Sequence, residues 1–124
     1  MNQELLNSLT LNETDISGVM QRFSGDEKLY MALLNSFKDD PTMDELENAI
    51  ARKEWNEAFT AAHALKGLAG NMGFVPLFHE TGELVMFIRA GKISEIDISL
   101  KRVRNRYDDI LNIIRNNEIL TEGK

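Results

Sequence analysis

Apolar residues recur along this chain at 3-4-7 spacing, the pattern of helices that bury one face. Ile16, Val19, Met20 and Phe23 mark a first short helix, with Thr14 or Asp15 placed to cap it. Ser24-Gly25-Asp26-Glu27 breaks it, and Ser24 with Glu27, or Asp26 alone, can cap the next. That helix is expected to bury Leu29, Leu33 and Phe37, with Tyr30 and Leu34 widening the stripe. Asp40-Pro41 stops it and starts another, because proline at the first helical position loses no hydrogen bond while the aspartate caps; Leu46, Ala49 and Ile50 then face inward. The spacing predicts a long helix from Trp55 to Met72, with Ala58, Ala62, Leu65, Ala69 and Met72 as its apolar stripe and Gly73 as its left-handed end. Val75 to Ala90 reads as a further helix, with Phe78, Leu84, Val85 and Ile88 inward and Gly91 as its stop. Ser94 with Asp97 resembles a capping box for the last helix, which carries Ile96, Leu100, Val103, Tyr107, Ile110 and Ile114.

These elements predict an all-α domain over residues 14–120: an antiparallel, up-down four-helix bundle with one or two short additional helices capping one end. Residues 1–13 are expected to be a loosely ordered segment or a short helix, and residues 121–124 a disordered tail. A chain of 124 residues suffices for one core but not two. No apolar run approaches the roughly 18 residues of a membrane span, and the start of the chain lacks a basic, signal-like region, so a cytoplasmic protein without a membrane partner is expected. The absence of cysteine removes disulfides, thiol catalysis and thiolate metal sites. A net charge of −6 argues against a nucleic-acid partner. Lys101, Arg102, Arg104 and Arg106 do cluster, but at helical spacing they fan around a solvated face, and Asp108 and Asp109 follow.

The candidate chemistry lies in His63-Ala64-Leu65-Lys66-Gly67-Leu68-Ala69-Gly70-Asn71-Met72-Gly73. His63 falls roughly 130° from the centre of the apolar stripe and therefore points outward. Lys66 stands at i+3, Gly67 one turn on and Gly70 two turns on. Each glycine inside a helix costs about 1 kcal/mol relative to alanine, and close approach by another surface is the simplest reason for both. An imidazole attacks phosphorus only when neutral, the form an exposed histidine mostly holds near neutral pH, so His63 needs no base to activate it. No Asp or Glu stands three or four residues from His63, where a carboxylate would repel a phosphoryl group. Lys66 is the local cation that can steady phosphoryl oxygens. Neither Gly-x-Gly-x-x-Gly nor a Walker-type Gly-Lys-Ser/Thr is present, which fits a carrier better than an ATP-using enzyme.

The run His-x-Leu-Lys-Gly-x-Ala-Gly-x-Met-Gly, followed by Phe-x-x-Leu and closing with Arg-Ala-Gly, resembles the histidine-containing phosphotransfer (Hpt) domain of bacterial phosphorelays. Arg22 to Tyr30, with Leu33, Leu34 and Phe37, is similar to the family's upstream segment, so the resemblance spans Ile16 to Gly91. Leu68, where the family commonly has a small residue, and Leu84-Val85, where a Leu-Glu pair is frequent, depart from it. The resemblance implies that His63 accepts the phosphoryl group, that the partners are response-regulator receiver domains with a hybrid sensor histidine kinase upstream, and that this chain has no kinase activity. It also implies no cofactor here, the magnesium belonging to the receiver. A monomer is expected, either free-standing or as a domain excised from a larger kinase.

Phe59, one turn before His63, is expected to form a receiver-docking patch with Ile16 or Met20; the alternative is that the short helix folds over Phe59 and buries it. Two rival readings are a helical interaction domain that has lost the relay and a bundle holding a cofactor such as haem, which would need His63 to face inward. His79 has no glycine or lysine beside it and reads as an ordinary surface residue. A metal site shared by His63 and His79 is not expected, sixteen residues being no one-helix ligand spacing, and the six methionines read as core filler.

Overall fold

The computed structural model describes residues 1–122, with side chains placed through Asn117. The described residues form seven helices and no strand: α1 (Gln3–Leu11), α2 (Ile16–Arg22), α3 (Glu27–Phe37), α4 (Thr42–Ala51), α5 (Trp55–Met72), α6 (Val75–Ala90) and α7 (Ile93–Glu122). Helices α4 to α7 pack in chain order, each on the next, while α1 lies against α7 and α3 against α5. Three helices therefore precede α4: α2 and α3, two additional helices within residues 14–120, and α1 in the first segment. The first segment is one of them, because Asn2 caps it through Glu4 N and Leu5 N and because Leu5 and Leu9, one turn apart, enter the core. At the other end α7 runs through Glu122, two residues into the expected tail; Gly123 and Lys124 lie outside the described residues.

Local chemistry sets most of the boundaries. Asp15 caps α2 through Gly18 N, Asp26 caps α3 through Leu29 N, and the Asp40 carboxylate accepts from Thr42 N at the start of α4. Gly73 (φ +78°) and Gly91 (φ +68°) end α5 and α6 in the left-handed conformation. The expected capping box at Ser94 does not form. The turn at Gly91 feeds straight into α7, which starts at Ile93, so Ser94 already lies in the first turn and its hydroxyl bonds to Glu95.

The apolar stripe of α3 is rotated from its expected position, while in α6 Leu84, Val85 and Ile88 are buried as expected and Phe78 alone is displaced. In α3 the buried residues are Tyr30, Leu34 and Phe37, while Leu29 is 44 % exposed and Leu33 half-buried. In α6 they are Leu77, Thr81, Leu84, Val85 and Ile88, with Phe78 half-buried on the shoulder toward α5. The rotation of α3 follows from Tyr30, whose hydroxyl donates to Met72 O at 3.0 Å, at the end of α5. Arg22 reaches the same end, donating to Gly70 O at 3.0 Å and Asn71 O at 3.3 Å, and Asp15 N donates to Gly73 O at 2.8 Å. The open carbonyls of α5 are thus closed by α2 and α3, which fixes the helix that carries the motif.

Burial raises the pKa of Tyr30, against the opposing effect of the nearby Arg22 charge. A phenol whose folded pKa lies above its unfolded value of about 10 gives stability that is fully present below that value and is lost as pH rises past it. Tyr30→Phe is therefore expected to cost about 1 kcal/mol at pH 8, from the lost hydrogen bond, and to lose less stability than the parent between pH 8 and 11. Urea midpoints at the two pH values check this.

Candidate functional site

Ala58, Ala62, Leu65, Ala69 and Met72 of α5 are all buried, and this alone turns His63 to solvent. The imidazole is exposed and lies parallel to the Phe59 ring, 3° between planes and 6.1 Å between centroids. The Arg89 guanidinium, from α6, also sits over the Phe59 ring, 5.1 Å from its centroid. Phe59 is half-buried, and α2 does not cover it. That helix is held at the Gly73 end of α5, so Ile16 and Met20, both half-buried there, stand toward the opposite end of the motif from Phe59.

Lys66 is half-buried and lies across the interface onto α6: its Nζ is 5.3 Å from the Phe78 centroid, and its stem runs over Gly82, where an added Cβ would touch Cε at 3.5 Å. His63 is thus bracketed along α5 by two cations, each resting on an aromatic ring. Arg89 is the one the sequence reading did not single out. The Arg-Ala-Gly run that contains it closes the motif that carries the resemblance, and nothing in the sequence alone states that residue 89 faces residue 59.

The two motif glycines have different reasons. A Cβ on Gly67 would meet nothing within 4 Å, and the residue is exposed, as close approach by another molecule requires. A Cβ on Gly70 would lie 3.0 Å and 3.1 Å from two Phe78 ring carbons. Gly70 gives its space to α6, so its reason is internal packing rather than approach by a partner.

The contacts Gly70–Phe78, Lys66–Gly82 and Phe59–Arg89 fix an antiparallel register between α5 and α6. In it position 63 lies level with 85, one residue from 86. Over the stretch from 59 to 67 and its facing stretch from 81 to 89 the charged residues are Lys66, Arg89 and Glu83 alone. In a chain of net charge −6, this face is locally positive.

An inward His63, which a haem-type site would need, does not occur. His79 is exposed and touches the Phe78 ring edge-on at 5.7 Å, away from His63. Among the described residues no group of three or more His, Cys, Asp or Glu could hold a metal ion, and no helix is long and apolar enough to cross a membrane.

An exposed imidazole on an anchored helix, flanked by cations and by an open glycine, is equipped to take a phosphoryl group from a partner that comes close. Residues 33–113 match the Hpt domain family. The matched span takes in α4, α5 and α6, with the end of α3 and most of α7, and leaves out α2 and the first turns of α3, which the resemblance had included. No curated protein and no solved structure matches the chain. With the family match covering well over half of the sequence and His63 within it, the chain belongs to the Hpt domain family.

Proposed function

We propose that this protein is a phosphorelay intermediate in which His63 accepts a phosphoryl group from the aspartate of one receiver domain and passes it to the aspartate of another. Membership of the Hpt family implies a histidine phosphotransfer role in two-component signalling. The observation that carries the finer reading is the exposed His63 between Lys66 and Arg89, with open space over Gly67. A ring nitrogen of His63 uses its lone pair to form an N–P bond as the P–O bond to the partner aspartate breaks, and the carboxylate leaves with that electron pair. The reverse step delivers the group to the next aspartate. Lys66 and Arg89 are near enough to leave their aromatic rests and neutralise phosphoryl oxygens, while the partner supplies the magnesium. Helices α4 to α7 act as an up-down four-helix bundle that holds His63 rigidly, so little positional freedom is lost at transfer. The chain works as a cytoplasmic monomer, takes its phosphoryl group from receivers, including that of a hybrid sensor kinase, and has no kinase activity.

The test is incubation with a phosphorylated receiver, followed by intact mass in neutral buffer. A gain of one phosphoryl group is expected, stable to alkali and lost in acid; no gain with a panel of receivers would overturn the reading. A second prediction separates stability from transfer at Gly67. Gly67→Ala fills open space inside a helix and is expected to raise stability by about 1 kcal/mol, while its new methyl slows transfer from a receiver about tenfold. Thermal melting and single-turnover transfer measure the two effects on one sample.

A further inference from the structure

We infer that Met86 on α6 is an apolar contact that seats the receiver domain and sets which receivers are accepted, an inference that rests on the phosphorelay reading. Met86 is 68 % exposed, although it is a large apolar side chain. It points roughly 155° away from the buried stripe of α6, and the register fixed by Gly70–Phe78, Lys66–Gly82 and Phe59–Arg89 places it one residue from the level of His63 on the neighbouring helix. The other exposed large apolar residues lie on other helices or at the first residue of α6: Leu11 on α1, Leu29 on α3, Val75 on α6, and Ile93 and Ile98 on α7.

The surroundings of Met86 select its occupant. One turn before it is Gly82, over which the Lys66 stem runs from α5, so the thioether stands beside the aliphatic part of that lysine. Arg89 follows at i+3, Glu83 precedes at i−3 and Lys66 crosses Gly82, so the small apolar contact lies among two cations and one carboxylate, a net positive surround. That combination is complementary to a receiver, whose phosphorylated aspartate pocket is acidic, and not to a second copy of this face, which would bring like charges together. Methionine is unbranched and polarizable, so it can repack against more than one receiver surface, as a shared intermediate between donor and acceptor requires.

The test is transfer kinetics from a panel of phosphorylated receivers to the full chain carrying Met86→Ala, Met86→Leu or Met86→Glu, with Ile98→Glu as an exposed apolar control on α7. Met86→Ala is expected to raise KM about tenfold and Met86→Glu more, by amounts that differ between receivers, with Met86→Leu close to the parent. The rate at saturating receiver and uptake from a small donor such as phosphoramidate are expected to change less than about twofold, since neither depends on docking. A Met86→Glu chain with the parent's KM for every receiver overturns the inference. Equal loss with the small donor overturns it too, because Met86 would then act on His63 itself. Failure of the parent chain to accept from any receiver overturns the phosphorelay reading and this inference with it, and that outcome is told apart by the parent alone.

Discussion

His63→Gln is expected to take up no phosphoryl group from any receiver while melting within about 2 °C of the parent chain, as exposed substitutions usually do. The glutamine side chain keeps a polar group at the surface but offers an amide in place of a nucleophilic ring nitrogen. No second histidine can substitute at the site, because His79 lies on α6 against Phe78 and does not share the bracket of Lys66 and Arg89. The loss should therefore exceed the roughly 10²- to 10⁴-fold typical of removing an accessory acid or base, and be limited by detection. Stacking between His63 and Phe59 contributes little to stability at a surface centroid distance of 6.1 Å, so a fall in melting temperature of many degrees would show that His63 has a structural role. Label that persists in His63→Gln would move the phosphoacceptor elsewhere. The decisive comparison is intact mass of parent and variant after exposure to the same phosphorylated receiver.

What could be read from the sequence was set by single helices, and what could not was set by how pairs of helices meet. The exposure of His63 follows from the stripe Ala58, Ala62, Leu65, Ala69 and Met72 on its own helix, so one wheel suffices. Helix α5 ends at Gly73 because a glycine that can take φ +78° marks the stop within the local sequence. In α3, by contrast, Leu29–Leu33–Phe37 and Tyr30–Leu34–Phe37 are equally good stripes, and the choice between them is made by the hydrogen bond from Tyr30 to Met72 O across 42 residues of chain. Gly67 and Gly70 look alike in the motif, yet one faces open space and the other the Phe78 ring. Arg89 and Met86 join the site only through the register of α6 on α5, which depends on that same Gly70–Phe78 contact. The first helix was obscure for a related reason: Leu5 and Leu9 are too few to define a stripe until α7 provides the surface that buries them.

Gly73→Ala is expected to destabilise the protein by about 2–4 kcal/mol, enough to lower the melting temperature by roughly 10 °C. Part of the cost is conformational, since a residue with a Cβ held at φ +78° loses about 1 kcal/mol. The larger part is steric: the added Cβ would lie 2.5 Å from Val19 Cγ2 and 3.0 Å from Asp15 O. Val19 is fully buried, and Asp15 is backbone at the cap of α2, so neither contact is relieved by swinging a free side chain. Relief means lifting α2 from the end of α5, which strains the bond from Asp15 N to Gly73 O and those from Arg22 to Gly70 O and Asn71 O. Gly91→Ala supplies the comparison. Gly91 is also left-handed, at φ +68°, but its Cβ would meet nothing within 4 Å, so it should show the conformational cost alone, about 1 kcal/mol. Urea unfolding of the two variants measures the difference directly. A gap of about 1–3 kcal/mol between them would measure the seating of α2 on α5, and equal losses would mean that α2 gives way at no cost and does not brace the helix that carries His63. The His63 ring lies ten residues up the helix, about 15 Å away. Folded Gly73→Ala should therefore still accept phosphoryl at low temperature, where Gly67→Ala is slow despite its higher stability.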